Sequence, residues 1–309
     1  MCPPLTAPPP NVGLSMHRRF LPVRLGKLKL VALSDGDFDL PAERLLIGER
    51  PGHVRGLLAK AGLPAVVSSA VNAFLIETDE ALVLVDAGAG SLQGAGLGRL
   101  ETSLHEAGYA PDRVDAVLLT HLHPDHVGGI ARERRMVFPA ATVWADAREA
   151  TFWRDGEGRE RVDESVRATF DGAAASIAPY VEAGRFRTFM PGDEPVPGMR
   201  ALALEGHTVG HTGFCADSGD ARLIVCGDAF HVAPVQLAEP RLAIRYDSDP
   251  LQAADARERL LAEAAERGDW LAAAHAPFPG VGRVRRQGKG YAWAPGRCCA
   301  RCTLAAPLA

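Results

Sequence analysis

The stretch His121-Leu122-His123-Pro124-Asp125-His126 carries three imidazoles and one carboxylate in six residues. Imidazole and carboxylate are good donors for zinc and similar divalent ions. This density is far too high for chance surface or core histidines. The stretch follows Val114-Asp115-Ala116-Val117-Leu118-Leu119-Thr120, which reads as a buried strand, and precedes Gly128-Gly129. Pro124 at the start and small residues behind suit a tight turn into a helix N-terminus. Such a turn lets four side chains converge on one small region.

One ion takes three or four protein ligands, so the cluster needs partners elsewhere. Four candidates stand where an apolar strand ends. His207 follows Ala201–Leu204, Asp228 follows Leu223–Cys226, His275 follows Leu271–Ala274, and Asp86 follows Leu82–Val85. A sheet edge presents a site by this kind of repeated placement.

Outward from these positions, short apolar runs alternate with turns. Strands are expected at Leu28–Leu33 (ended by Ser34-Asp35-Gly36), Val71–Thr78, Ala81–Val85, Val114–Thr120 and Thr142–Ala145. A second batch is expected at Phe186–Phe189, Arg200–Leu204, Gly213–Ala216, Arg222–Cys226 and Trp270–Ala274. Helical spacing marks Leu97–Ala107 and, with breaks, 147–183. Asp249 as N-cap, Pro250 as first residue and Gly268 at the end bound a further helix. Strands in two batches, each followed by helices, suggest two packed sheets with helices outside.

The His-x-His-x-Asp-His motif, Gly206-His207-Thr208-Val209-Gly210-His211, Gly227-Asp228 and the late His275 together resemble the metallo-β-lactamase superfamily, from about Arg24 to Ala294. Ala32–Gly36, Val71–Leu75, Asp247–Pro250 and His275–Gly280 resemble its methyl parathion hydrolase-like branch, which holds phosphotriesterases and lactone or aryl-ester hydrolases. The resemblance implies an α/β fold, the four-layer αβ/βα sandwich. It implies two divalent metal ions, zinc first, with manganese, cobalt and iron as alternatives. His121, His123 and His207 would hold the first ion; Asp125, His126 and His275 the second; Asp228 would bridge them. Two carboxylates against two dications leave net positive charge, which favours a bound hydroxide and polarises a substrate oxygen. Hydrolysis of a neutral lactone, aryl ester or phosphotriester by such a hydroxide is the expected activity. Asp125, Asp228 and His231 are the expected catalytic residues, with Asp125 also handling the proton and His231 facing the substrate. His211 is expected to pack or support, and Asp86 to orient a ligand histidine. Phe152 and Trp153 are candidate walls of an apolar pocket. His17, His53 and His105 are read as surface residues.

No Gly-x-Ser-x-Gly nucleophile elbow occurs, in agreement with an activated water. The rival readings are a hydroxyacylglutathione thioesterase, a β-lactamase-like hydrolase, a mononuclear iron dioxygenase and a metal-binding sensor module. The first would want a basic patch for the glutathione carboxylates, and none is clear.

Composition narrows the rest. The 309 residues are 47% hydrophobic with a formal charge of −4, which allows a sizeable core and gives no basic stripe for nucleic acid. Arg283, Arg285, Arg286 and Lys289 read as a solvated loop. The six cysteines show no framework spacing; Cys299 and Cys302 form a CxxC without a second half. No 18-residue apolar window exists, so no membrane partner is expected. Residues 1–18 read as a flexible Pro-rich leader without a signal-peptide core, with Met16 a second candidate start. Residues 19–293 are expected as one metallo-hydrolase domain and 294–309 as a disordered tail. The expected location is the cytoplasm and the expected partner a small-molecule substrate; a homodimer is implied by resemblance alone.

Overall fold

The computed structural model describes residues 19–154, 157–160, 164–219 and 221–296. The expected leader 1–18, the tail beyond Gly296, His17, and Cys2, Cys298, Cys299 and Cys302 lie outside the described residues.

Alternation along the strands decides the layers. In the segments 30–33, 74–76 and 82–85, side chains of odd and even position face opposite ways, as a pleated strand requires. Leu30, Ala32, Phe74, Ile76, Val83 and Val85 pack against Phe214, Leu223, Val225 and Ala272 of a second sheet. Val31, Leu33, Leu75 and Leu84 face the opposite way, onto the helical residues Leu104, Phe170, Ile177 and Tyr180. In the second sheet Cys215, Ile224, Cys226 and Leu271 face Leu260, Leu261 and Ala264 of another helix. The order is therefore helix, sheet, sheet, helix, the four-layer arrangement that the resemblance implies.

The first sheet has seven strands, adjacent in chain order: Phe20–Leu25, Leu28–Leu40, Val67–Glu77, Leu82–Val85, Ala116–Leu118, Thr142–Asp146 and Phe186–Phe189. The second has six: Arg200–Ala203, Thr212–Asp217, Arg222–Gly227, Trp270–Ala273, Val281–Gln287 and Gly290–Pro295. Two parallel pairings position the site. Leu82–Val85 runs parallel to Ala116–Leu118, and Arg222–Gly227 parallel to Trp270–Ala273. Parallel neighbours end at the same edge, so Asp86 emerges beside the His121–His126 loop and Asp228 beside His275. A parallel pair needs a crossover, here carrying helices Leu100–Glu106 and Pro250–Arg267. The second helix begins as expected: Asp249 Oδ1 accepts from the N–H groups of Leu251 and Gln252 at 3.1 and 3.0 Å, and Gly268 closes it at φ 70°.

Four features differ from expectation. Ser34-Asp35-Gly36 does not end a strand; Leu28–Leu40 runs through it with a register shift between Ser34 and Gly36. The bulge turns Asp35 inward, where its carboxylate accepts from the N–H groups of Ala89, Gly98 and Leu100, each at 2.9 Å. The domain does not stop at 293, because Gly290–Pro295 pairs with Val281–Gln287. That pairing also replaces the expected basic loop: Arg283 stacks over the Trp270 ring at 4.3 Å and Arg286 over Tyr291 at 5.5 Å. Lastly, helices Ala42–Leu45 and His53–Lys60 were not foreseen. They pack Leu45, Val54 and Leu58 against Val232, Leu242 and Ile244, in the segment that follows His231. His53 is partly buried there, with Nε2 3.1 Å from Glu239, whereas His105 is exposed as expected. Among the described residues no helix is long and apolar enough to cross a membrane.

The loop behind the His cluster is pinned by Tyr180, whose hydroxyl donates to Ile130 O at 2.8 Å and accepts from Phe138 N–H at 3.1 Å. Burial pushes this phenol up to about 12. The folded value lies above the unfolded one of about 10, so the stability it contributes is present below pH 10 and lost as pH rises towards 12. Tyr180→Phe should cost about 1–3 kcal/mol at neutral pH. It should also flatten the fall in urea stability between pH 10 and 12; an unchanged slope would contradict the assignment.

Candidate metal centre

The turn after Ala116–Leu118 behaves as its residue types suggest. Pro124 opens the short helix Pro124–Val127, and the two glycines behind it let the chain press against a neighbouring loop. A Cβ on Gly129 would stand 1.8 Å from Ala87 O, so no larger residue fits there without displacing backbone.

The structure brings all seven sequence-nominated donors together, six of them under 9% exposed and His123 half-buried. His121, His123, His207 and Asp228 form one group able to hold an ion; Asp125, His126 and His275 form a second. In the first group His121 Nε2 and His123 Nδ1 are 2.9 Å apart, and His123 Nδ1 and His207 Nε2 3.1 Å. Asp228 Oδ2 lies 3.2 Å from His207 Nε2 and 3.7 Å from His121 Nε2. Donors around a tetrahedral zinc with bonds near 2.0–2.1 Å stand about 3.3 Å apart, so this set fits such an ion. Asp228 joins the groups: its Oδ2 is 3.2 Å from His275 Nε2 and its Oδ1 3.2 Å from His126 Nε2. His126 Nε2 and Asp228 Oδ1 are both buried without a hydrogen-bond partner. Two orphaned donor atoms facing one another are what a cation between them would satisfy. Asp125 stands at the rim of the second group, with Oδ2 3.6 Å from His275 Nε2 and 3.8 Å from His126 Nε2.

The far nitrogens of three rings explain why the near ones point inward as lone pairs. A carboxylate or carbonyl only accepts, so each such contact assigns the proton to the far nitrogen. His207 Nδ1 donates to Asp247 Oδ1 at 3.0 Å, His126 Nδ1 to Asp86 Oδ2 at 2.8 Å, and His275 Nδ1 to Ala70 O at 2.8 Å. Metal-binding histidines are commonly oriented this way. Asp86 also accepts from Thr120 N–H at 2.8 Å, which ties the His121 loop to the neighbouring strand exit.

Electrostatics follow from crowding in a dry site. Burial, reinforced by neighbouring imidazoles, holds His121 and His123 well below the usual histidine value. Burial alone would raise Asp228, but His275, His126, His231 and His121 outweigh it and hold the carboxyl well down. Burial would lower His207; its bonds to Asp228 and Asp247 win and bring it to about 9, so an ion taken up at Nε2 displaces a proton there.

Other nominated residues fall into place by contact. His211 spends both nitrogens on the scaffold: Nδ1 donates to Leu204 O at 2.8 Å and Nε2 accepts from Asp228 N–H at 3.0 Å. Burial lowers it to about 3, which keeps that acceptor nitrogen free. His231 is buried, with Nε2 3.1 Å from Asp228 Oδ2 and its ring stacked on His275 at 4.8 Å. Trp153 is 5% exposed, stacks on Phe170 at 4.2 Å and meets His123 edge-on at 5.4 Å. Phe152 is partly buried beside it.

Sequence reading missed four supporting side chains. Asn72 Nδ2 donates to Ala273 O and Ala276 O at 3.2 and 2.7 Å and so holds the His275 loop. Asp247, behind His207, has its Oδ2 3.8 Å from Arg257 Nη2. Arg257 is 1% exposed and donates to Ala229 O, Pro240 O and Leu242 O. Glu149 is fully buried and accepts from Leu122 and Gly210 N–H groups. A usable signal existed for two of these. Arg257 falls on the stripe Ala253, Ala256, Leu260, Leu261, Ala264, and Glu149 beside Ala150 and Trp153. A charge on an apolar helix face has a buried partner.

Known proteins resemble this chain in fold and sequence. The crystal structure of hydrolase AbOPH, in the beta lactamase superfamily, superposes with TM-score 0.86 at 34% identity, covering 92% of this chain and 100% of that one. AidC, a dizinc quorum-quenching lactonase solved with a product, has TM-score 0.82 at 23% identity over 91% of this chain and 98% of that one, a likeness of fold alone. "Probable metallo-hydrolase Rv2300c" of Mycobacterium tuberculosis is 31% identical over 184 residues, 52% of this chain and 56% of that protein. The chain thus spans little more than half the length of that curated relative. Residues 68–275, a span that takes in all seven donors, match the family model of the metallo-beta-lactamase superfamily, and the chain belongs to that superfamily.

Proposed function

We propose that this chain is a binuclear metal-dependent hydrolase, zinc being the first candidate ion, acting on a neutral lactone, aryl ester or phosphotriester. One observation carries the reading: Asp228 presents Oδ1 to His126 and Oδ2 to His207 and His275, so one carboxylate faces both donor groups. Ions held there would supply a water of lowered pKa and a Lewis acid for the carbonyl or phosphoryl oxygen. The chain's own residues do the rest. Asp125, at the rim, would offer Oδ2 to the second donor group and take up the proton released by the attacking water on its other oxygen, Oδ1. His231 Nε2, 3.1 Å from Asp228 Oδ2, donates to that carboxylate and holds it turned between the two donor groups. Trp153, packed against His123, keeps that side of the cluster dry. A neutral substrate is favoured because the nearby guanidinium of Arg257 is spent on carbonyls behind Asp247 and offers no hydrogen bond to an anionic group.

AbOPH is a hydrolase and AidC a lactonase, which sets the panel: acyl-homoserine lactones, aryl lactones, aryl esters, phosphotriesters, glutathione thioesters and β-lactams, on metal-quantified protein. One of the first four classes should exceed the last two in kcat/KM by about tenfold or more, about 1.4 kcal/mol of transition-state binding. Dominant turnover of thioesters or β-lactams would overturn the substrate class.

A further inference from the structure

Glu149 lies in the first turn of helix Ala147–Arg154 and is fully buried. Its Oε2 accepts from Leu122 N–H at 3.1 Å and its Oε1 from Gly210 N–H at 2.8 Å. Leu122 stands between His121 and His123. Gly210 stands between His207 and His211. The two peptide groups thus belong to the two loops whose imidazoles make up the first donor group. These loops are 61 and 27 residues from Glu149 along the chain, so nothing local brings them together. Across them His123 Nδ1 faces His207 Nε2 at 3.1 Å.

Two N–H donors on two separate oxygens require both oxygens to accept. Both oxygens accept, and among the described residues no cationic side chain pairs with the carboxyl. Burial pushes this carboxyl up, so a group that is costly to bury is kept here. An apolar side chain would fill the space without that cost, but would leave the Leu122 and Gly210 N–H groups without these acceptors.

We propose that Glu149 is a positioning residue for the first metal site: its two oxygens clamp the His121–His123 loop to the His207–His211 loop and set the span across which one ion is held. The inference rests on the two-ion reading above. It extends that reading to a side chain that touches neither ion nor substrate. The second donor group hangs on Asp86 and Ala70 instead, so the two sites should respond differently.

The test is Glu149→Gln, which keeps the volume and one acceptor but turns an amide N–H₂ towards one backbone N–H. Zinc competition against a chromophoric chelator, and cobalt titration followed by absorbance, read the two sites directly. His207→Ala and His275→Ala give reference spectra for loss of the first and second site. Glu149→Gln should bind one ion about 10–100-fold more weakly, hold the other as wild type does, and give the cobalt spectrum of His207→Ala at one equivalent. Glu149→Asp, still a carboxyl but one methylene short of spanning both loops, should show the same selective loss and serves if the glutamine variant does not fold. Asp35→Asn breaks an equally buried carboxylate clamp, on Ala89, Gly98 and Leu100. It should lower thermal stability yet leave the two affinities in their wild-type ratio. Equal weakening of both sites in the Glu149 variants, or none, overturns the positioning role. A wild-type chain that holds no ion pair overturns the two-ion reading instead.

Discussion

Asp228→Ala should lower kcat/KM by about a thousandfold or more and reduce the bound metal below two equivalents. The carboxylate is 2% exposed and has an imidazole Nε2 of His126, His207, His231 or His275 within 3.2 Å on one oxygen or the other. Remove it and the two donor groups lose the residue they share. The imidazoles then face one another with no anion between them. If bridging contributes several kcal/mol of charge stabilisation, about 4 kcal/mol corresponds to about 10³ in rate. Asp228→Asn keeps the shape and loses the charge, so it should fall nearly as far. The decisive measurement pairs kinetics with metal quantification on the same sample. Wild-type activity with two ions still bound would sink the mechanism proposed here.

The second large effect concerns stability. Arg257→Met should destabilise the fold by about 3–5 kcal/mol, the usual cost of breaking a buried charge pair from one side. The guanidinium joins three segments: Ala229, just after Asp228, the turn at Pro240 and Leu242, and Asp247. Methionine follows the same path through the core but donates nothing. It would leave three carbonyls short of a donor and Asp247 without its countercharge. Because Asp247 orients His207, the variant should also weaken metal binding. The double variant Arg257→Met with Asp247→Asn should cost less than the two singles added, since the second change removes the charge that the first strands. Denaturant midpoints at fixed metal concentration measure this. Strict additivity would show that the 3.8 Å contact contributes nothing.

Much of the site was legible before any fold was known, and for a local reason. A strand exit needs only an apolar run followed by a polar residue, and the six residues from His121 to His126 bring four donors together by themselves. His207, Asp228 and His275 repeat the same signature, and Asp249 with Gly268 bounds its helix through backbone chemistry that operates within a few residues. The grouping of apolar runs into two batches, each followed by helices, likewise suggested two sheets, because it is visible along the chain without any long-range contact.

What stayed hidden depends on neighbours far along the chain. Ser34-Asp35-Gly36 has the composition of a turn, yet in the fold the strand continues as a bulge because Asp35 finds three N–H groups on other segments. The helices at 42–45 and 53–60 are too short to declare themselves and stand on packing against 232–244. Asp247 looks like an ordinary loop charge, and Glu149 and Arg257, though placed on apolar helix faces, do not name their partners until loops from elsewhere are laid against them. Local pattern was enough to nominate the side chains that the fold gathers into one cluster, and the two-sheet plan that carries them. Which oxygens and nitrogens hold those side chains in place emerges only from the folded chain, because a buried polar group is satisfied by whatever the fold brings within about 3 Å.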